Sequence, residues 1–189
     1  SLSSLYADGG GYKIRVKLDN YPHQSLTLGF HYGDKQYVKD TAAVGADGWF
    51  TFEADTLLPC GVYLLVLKPD NNFIQVLIPA DDQDFTMTTD AKDSVIKMKV
   101  KGSDDNEAFY DYLRYLNSLR PEADSLRAMI GRSKGNPADS IKYTTKLADI
   151  DKSVKKFQQE LIAKHPGFMS TKIVKASIEP ELPDFKGDD

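Results

Sequence analysis

The sequence predicts an α+β protein, an antiparallel β-sandwich of about eight strands followed by a long antiparallel helical hairpin. Three observations carry this. Up to Lys101 the apolar side chains alternate with polar ones at period two, between turn residues and with no helical stretch. After Gly102-Ser103 the apolar positions fall three and four apart. Two such stripes flank one short polar loop. The boundaries that follow are residues 1–101 for the sandwich and 102–178 for the hairpin.

Tyr12, Ile14, Val16 and Leu18 alternate with Lys13, Arg15 and Lys17, giving a strand with one buried and one wet face. Leu26, Leu28, Phe30 and Tyr32 repeat the pattern after a turn at Asn20-Tyr21-Pro22, and Gln36 to Val44 reads as a third strand. Asp47-Gly48 is a tight-turn signal, because Gly accepts positive φ at little cost. Trp49 to Glu53 follows, with Phe50 and Phe52 on the core face and Trp49 on the opposite one. Gly61 to Leu67 and Phe73 to Ile78 are more continuously apolar. They read as central strands covered on both faces, joined by a hairpin loop at Asp70-Asn71-Asn72. Phe85 to Thr89 and Val95 to Lys101 complete the set. Strands at this spacing without intervening helices favour a sandwich or barrel.

Asp104 and Glu107 read as a capping-box-like helix start, with acids at the positive helix end. Phe109, Tyr112, Leu116, Leu119, Ala123, Leu126 and Ile130 then form one stripe, which keeps register through Pro121 and predicts a kink there. Gly131 to Gly135 is a turn, and Asn136-Pro137 sets a cap residue before Pro at the first helical position. Tyr143, Leu147, Ile150, Val154, Phe157 and Leu161 form the second stripe, and His165-Pro166-Gly167 ends it. Arms of roughly 40 Å exceed what one small sandwich readily covers. Tyr110, Tyr115 and Met129 fall off the main stripe. They are the candidate interaction surface for a partner chain or a further domain, with packing on the sandwich as the competing reading.

Charge and composition narrow the classes of function. The net charge is −4, with 10 basic and 13 acidic side chains in residues 1–101 and 14 and 15 in the remainder. Such a balance argues against a nucleic-acid partner, which needs a concentrated basic face. No apolar run approaches the length of a transmembrane span. The start Ser-Leu-Ser-Ser, without Met or a signal pattern, reads as a mature or excised fragment.

The chemical candidates each have a plainer structural role. His23, His31 and His165 lie far apart, beside no Cys or acid at metal-ligand spacing. Asp81-Asp82-Gln83-Asp84 lacks the glycine and distal Glu of a calcium loop and reads as a solvated turn. Gly9-Gly10-Gly11 precedes a strand rather than a helix, so it does not cradle phosphate as a P-loop does. Lys152, Lys155 and Lys156 read as a wet helix face. Cys60 has no Cys-x-x-Cys partner and reads as a small buried or half-buried residue at a strand start. Trp49 is the candidate ligand contact, as a stacking platform for a glycan. These residues predict no catalytic group, no metal and no cofactor.

Several motifs, in order, resemble the N-terminal accessory region of Bacteroidetes envelope proteins that carry a thioredoxin-like domain of the AhpC/TSA type further on. They are Asp40-Thr41 with Asp47-Gly48-Trp49-Phe50, then Pro59, Gly61 and Tyr63, then Gly102-Ser103 with Asn106 and Phe109. His165-Pro166 and Ile178-Glu179-Pro180-Glu181-Leu182-Pro183 match the later landmarks, so the resemblance spans roughly residues 12 to 183. It implies a periplasmic or envelope-located parent with a covalently linked C-terminal thiol-disulfide oxidoreductase domain whose Cys-x-x-Cys lies outside this chain, and it makes residues 179–189 the linker toward that domain. The expected function is a non-catalytic accessory module that positions or dimerises that domain, with self-association as a further possibility. The alternative is a stand-alone envelope module that binds a glycan or a peptide.

Overall fold

The computed structural model describes residues 10–32 and 34–178. The expected linker 179–189 lies outside the described residues. Eight strands come first: β1 (Tyr12–Asp19), β2 (Ser25–Tyr32), β3 (Lys35–Ala43), β4 (Phe50–Ala54), β5 (Gly61–Leu67), β6 (Asn72–Ile78), β7 (Asp84–Asp90) and β8 (Lys99–Lys101). Three helices follow: α1 (Asp104–Arg132), α2 (Pro137–Lys164) and α3 (Met169–Ser177). The strands form two four-stranded sheets, ordered β4-β1-β7-β8 and β3-β2-β5-β6.

Period-two alternation places the core between the sheets. Ile14, Val16, Phe52, Phe85 and Met87 from the first sheet meet Leu26, Leu28, Leu65, Ile74 and Val76 from the second, all at 2% exposure or less. One pairing departs from the antiparallel expectation: β1 and β7 run parallel, Lys13 opposite Asp84 through Asp19 opposite Asp90. β2 and β3 lie in the second sheet, β4 returns to the far edge of the first, and β5 and β6 lie again in the second. The chain then re-enters beside β1 in the same direction. The eighth strand is also shorter than expected, because residues 94–97 form turns and β8 begins only at Lys99.

β6 is an edge strand rather than a central one. Its apolar run reflects the helix that covers its free edge. Asn106, fully buried in the first turn of α1, accepts the Leu77 N–H on Oδ1 (2.8 Å) and donates from Nδ2 to the Leu77 carbonyl (2.7 Å). The side-chain amide thus takes the place of a neighbouring strand for that residue. One turn on, the Tyr110 hydroxyl donates to the Gln75 carbonyl (2.7 Å). Burial raises the Tyr110 pKa well above that of an ordinary phenol. These bonds fill a free edge that would otherwise template another strand. α1 also touches β8, and Arg114 donates to the Met98 carbonyl just before it (2.8 Å). α1 therefore reaches the edge strands of both sheets.

The helix start sits one residue earlier than the acids suggest. Ser103 is the N-cap, accepting from the Asn106 N–H and from Asn106 Nδ2 (2.9 Å), while Asp104 and Asp105 occupy the first turn. Gly102 ahead of it has φ +87°, and a Cβ there would stand 3.0 Å from the Asp84 carbonyl oxygen. α1 continues through Pro121 as one helix. α1 and α2 lie against each other, with Tyr115 stacked on Phe157 at 4.6 Å and Gln158 donating to the Tyr112 hydroxyl (2.9 Å).

The third helix was not expected. Its nine residues carry Ser170, Thr171 and Val174 fully buried, and its own N-cap residue, Phe168, supplies no side-chain bond. Asp105 of α1 does so from a distance: Oδ2 accepts the Met169 N–H (2.7 Å) and Oδ1 the Ser170 N–H (2.9 Å). A carboxylate there satisfies two orphan donors and meets the positive helix end. Asp105→Ala is expected to cost about 1 to 2 kcal/mol and to expose the bond after Lys172 or Lys175 to trypsin. Unchanged cleavage rates would show that α3 is held by packing alone.

Asp90 anchors the turns after β7. The Lys92 backbone N–H donates to Oδ1 (2.9 Å), and Lys97 Nζ (2.9 Å) and Asn20 Nδ2 (2.8 Å) donate to Oδ2. These donors, the Lys92 N–H first, hold the carboxyl below the usual carboxylate range. A lowered folded-state pKa means that the unfolded chain binds the proton first as pH falls. The stabilisation is therefore complete above about pH 4 and is lost as pH drops through the lower folded value. Asp90→Asn is expected to be less stable than the parent at neutral pH, with the gap closing in acid. Parallel urea melts at pH 7 and pH 3 check this, and a gap that does not change with pH contradicts it.

Candidate functional site

The outer face of the β3-β2-β5-β6 sheet carries apolar side chains that nothing in the described chain covers fully. Its register is set by three rows. In the first, Gln36 lies beside His31 and Val62 beside Leu77; the second is Val38, Gly29, Leu64 and Gln75, and the third Thr41, Thr27, Val66 and Phe73. A bulge at Leu28/Gly29 shifts β3 by one residue and turns Val38 onto this face. Val38 is 71% exposed, Phe73 41% and Val62 38%.

Two open troughs flank Leu64. One, of about 270 Å³, lies over Gly29, which presents no side chain, between Phe30, Tyr37, Val38 and Val66. The other, of about 610 Å³, is bounded by His31, Val62, Phe73 and Gln75, with Tyr110 and Leu113 of α1 forming its wall. The His31 ring meets Phe73 edge-on at 6.1 Å. The floor is apolar, His31 lines one trough and Lys68 the other, and exposed Gln36 and Gln75 supply amides at the border. Such a surface binds by burial of apolar area, with a few polar groups setting orientation.

The sequence missed this face because β5 and β6 read as covered on both sides. A signal was available: Gln75, between Ile74 and Val76, marks an outward position, and Phe73 shares its parity.

The three residues expected as an interaction surface are not brought together. Tyr110 is 2% exposed and bonded to β6, so it is withdrawn from that role. Tyr115 is half-buried under Phe157, and Met129 is half-buried near the far end of α1. Trp49 is half-buried with the Arg15 guanidinium 4.5 Å above its ring centroid, and Arg15 is held there by Asp47 at 3.0 Å. One ring face is therefore already occupied by a cation.

The remaining candidates resolve into structural parts. Gln83 leaves the expected acidic turn and is 1% exposed. Its Oε1 accepts the Leu58 N–H (2.8 Å), and its Nε2 donates to the Leu58 and Pro79 carbonyls (2.9 and 2.7 Å), pinning the approach to β5. The His165 ring stacks on Phe168 at 4.2 Å. Cys60 is exposed, not buried, because it precedes β5 in the loop rather than lying within the sheet. Tyr12, buried and donating to Asp40 (3.0 Å), has its pKa pushed up to about 12, chiefly by burial and then by that carboxylate. Among the described residues no group of three or more His, Cys, Asp or Glu side chains is placed to hold a metal ion, and no helix is long and apolar enough to cross a membrane.

No curated protein and no solved structure matches the chain. One family model does, over residues 12–109, from the start of β1 to the second turn of α1. The matched segment ends just past Asn106, the side chain that closes the β6 edge, so it takes in the whole sandwich and the helix start that completes it. It covers just over half of the sequence, and the chain accordingly belongs to the family described as a domain of unknown function, DUF4369.

Proposed function

We propose that this chain is a non-catalytic accessory module whose β3-β2-β5-β6 outer face docks the thioredoxin-like domain of its parent protein. The observation that carries the reading is the cluster of Val38, Val62 and Phe73, each more than a third exposed, around two troughs on one sheet face. Full burial of such a side chain contributes about 1.5 to 3 kcal/mol, so covering this face favours a docked state. The motif resemblance supplies the partner and an envelope or periplasmic location. The alternative glycan-binding reading needs a bare Trp49 ring, and Arg15 covers one side of it.

The test has two arms. The gene beyond codon 189 should encode a strand followed by a Cys-x-x-Cys that opens a helix. That domain, produced separately, should bind this chain. Phe73→Asp with Val62→Asp should weaken the binding by about tenfold or more and leave the melting temperature nearly unchanged. A gene without such a domain, or binding indifferent to both substitutions, overturns the reading. Self-association of the chain that is lost in the same variant would assign the face to a second copy instead.

A further inference from the structure

We infer that the cleft on the opposite side of the sandwich, over β1, β7 and β8, is a binding site for a phosphorylated small molecule. The cleft measures about 670 Å³, within the usual range for small-ligand sites. Its floor is one cross-strand row: Lys17 of β1 lies beside Thr88 of β7, which lies beside Lys99 of β8. Adjacent strands are spaced by about 4.8 Å, so the two lysine backbones stand roughly 10 Å apart with a threonine hydroxyl between them. That spacing lets two flexible ammonium groups converge on one tetrahedral oxyanion above Thr88. Lys97 from the preceding turns and Arg114 from α1 complete the wall, so positive groups reach the cleft from four segments of the fold.

Charge decides what the cleft takes. Four cations face two carboxylates, Asp19 and Asp90. Asp90 is consumed by Lys97, Asn20 and the Lys92 N–H, and Arg114 is held in place by Asp111 and the Met98 carbonyl. Lys17 and Lys99 make no ion pair among the described residues. Their backbone positions flank Thr88 in one row, so an anion above the threonine attracts both flexible ammonium groups. A phosphoryl group offers charge and several acceptor oxygens to the lysines, the hydroxyl and the guanidinium together. Ile96, 47% exposed at the rim, offers an apolar wall for the organic part of such a ligand. A concave site with converging donors fits a soluble phosphate ester rather than a membrane surface.

The site is independent of the docking face and is tested separately, with pyrophosphate as the probe. Trp49, the one tryptophan in the sequence, has Lys17 Nζ 5.9 Å from its ring centroid, so drawing Lys17 toward an anion should change its emission. The expected result is saturable binding, seen by phosphorus NMR and by Trp49 fluorescence. Lys17→Gln with Lys99→Gln should weaken it by about tenfold or more, and Lys152→Gln with Lys155→Gln on α2 should leave it unchanged. All four lysines are exposed, so the variants are expected to fold. Absence of saturable binding at millimolar pyrophosphate, or equal binding by the Lys17/Lys99 variant, overturns the proposal. So does binding confined to phosphatidylglycerol vesicles, which would make the face a membrane contact instead.

Discussion

Asn106→Ala is expected to destabilise the protein by about 4 kcal/mol, because it strips partners from two buried backbone groups at once. The Leu77 N–H and carbonyl are both bonded to the Asn106 amide, and Asn106 is fully buried. Leaving each without a partner costs about 1 to 3 kcal/mol, and the Ser103 cap loses its contact with Nδ2 as well. Asn106→Asp is not expected to rescue the loss. It keeps an acceptor for the Leu77 N–H but sets a carboxylate oxygen against the Leu77 carbonyl. Urea melts measure both variants. A cost below about 1 kcal/mol for Asn106→Ala would mean that water replaces the amide and that α1 does not seal the β6 edge.

Phe52→Ala is expected to cost about 3 to 5 kcal/mol. Phe52 is 0% exposed and sits opposite Ile14 across the β1–β4 ladder. Its removal opens a cavity between the sheets that rigid strands cannot close. Thr51→Ala, one residue away on the solvent face, serves as the control and should change stability by no more than about 0.5 kcal/mol. If the Phe52 variant loses less than about 1 kcal/mol, that part of the core is not packed as described.

These two residues also mark what the sequence made legible. Phe52 was readable because its face follows from period-two spacing after the Asp47-Gly48 turn. The same local logic gave the strand order along the chain, the two helical stripes and the Asn136-Pro137 start of α2. Asn106 stands out in the sequence only as a landmark after Gly102-Ser103. Its role depends on which strand ends at the sheet edge, and edges come from non-local pairing that one sequence does not display. The same blindness hid the parallel β1–β7 pair. It also made β6 look central, since an edge strand sealed by a helix is as apolar as one flanked by strands. α3 is short, and the acid that caps it lies 64 residues upstream in Asp105, so no capping signal stood next to it.

The candidate surfaces followed the same rule. For Tyr110 the sequence leaves partner contact and packing on the sandwich both open, because the stripe defines only the face α1 turns toward α2. The face it turns toward β6 has its own demands, and Tyr110 meets one of them at the Gln75 carbonyl. Val38 reaches the outer face through a bulge, a feature with no mark in the local pattern. The Lys17-Thr88-Lys99 row needs three strands from distant parts of the chain. Its lysines were visible singly as wet positions and became a site only through register.

The proposed docking of a thioredoxin-like domain on the β3-β2-β5-β6 outer face would bury that face in a longer parent protein. Hydroxyl-radical labelling of the 189-residue chain and of the longer parent, compared residue by residue, reads this without substitution. Phe73 and Val38 should label readily in the short chain and be protected in the parent. Ile141, 67% exposed on α2, should label equally in both, and buried Tyr110 should label in neither. Equal labelling of Phe73 and Val38 in the two proteins would rule out a domain docked on this face.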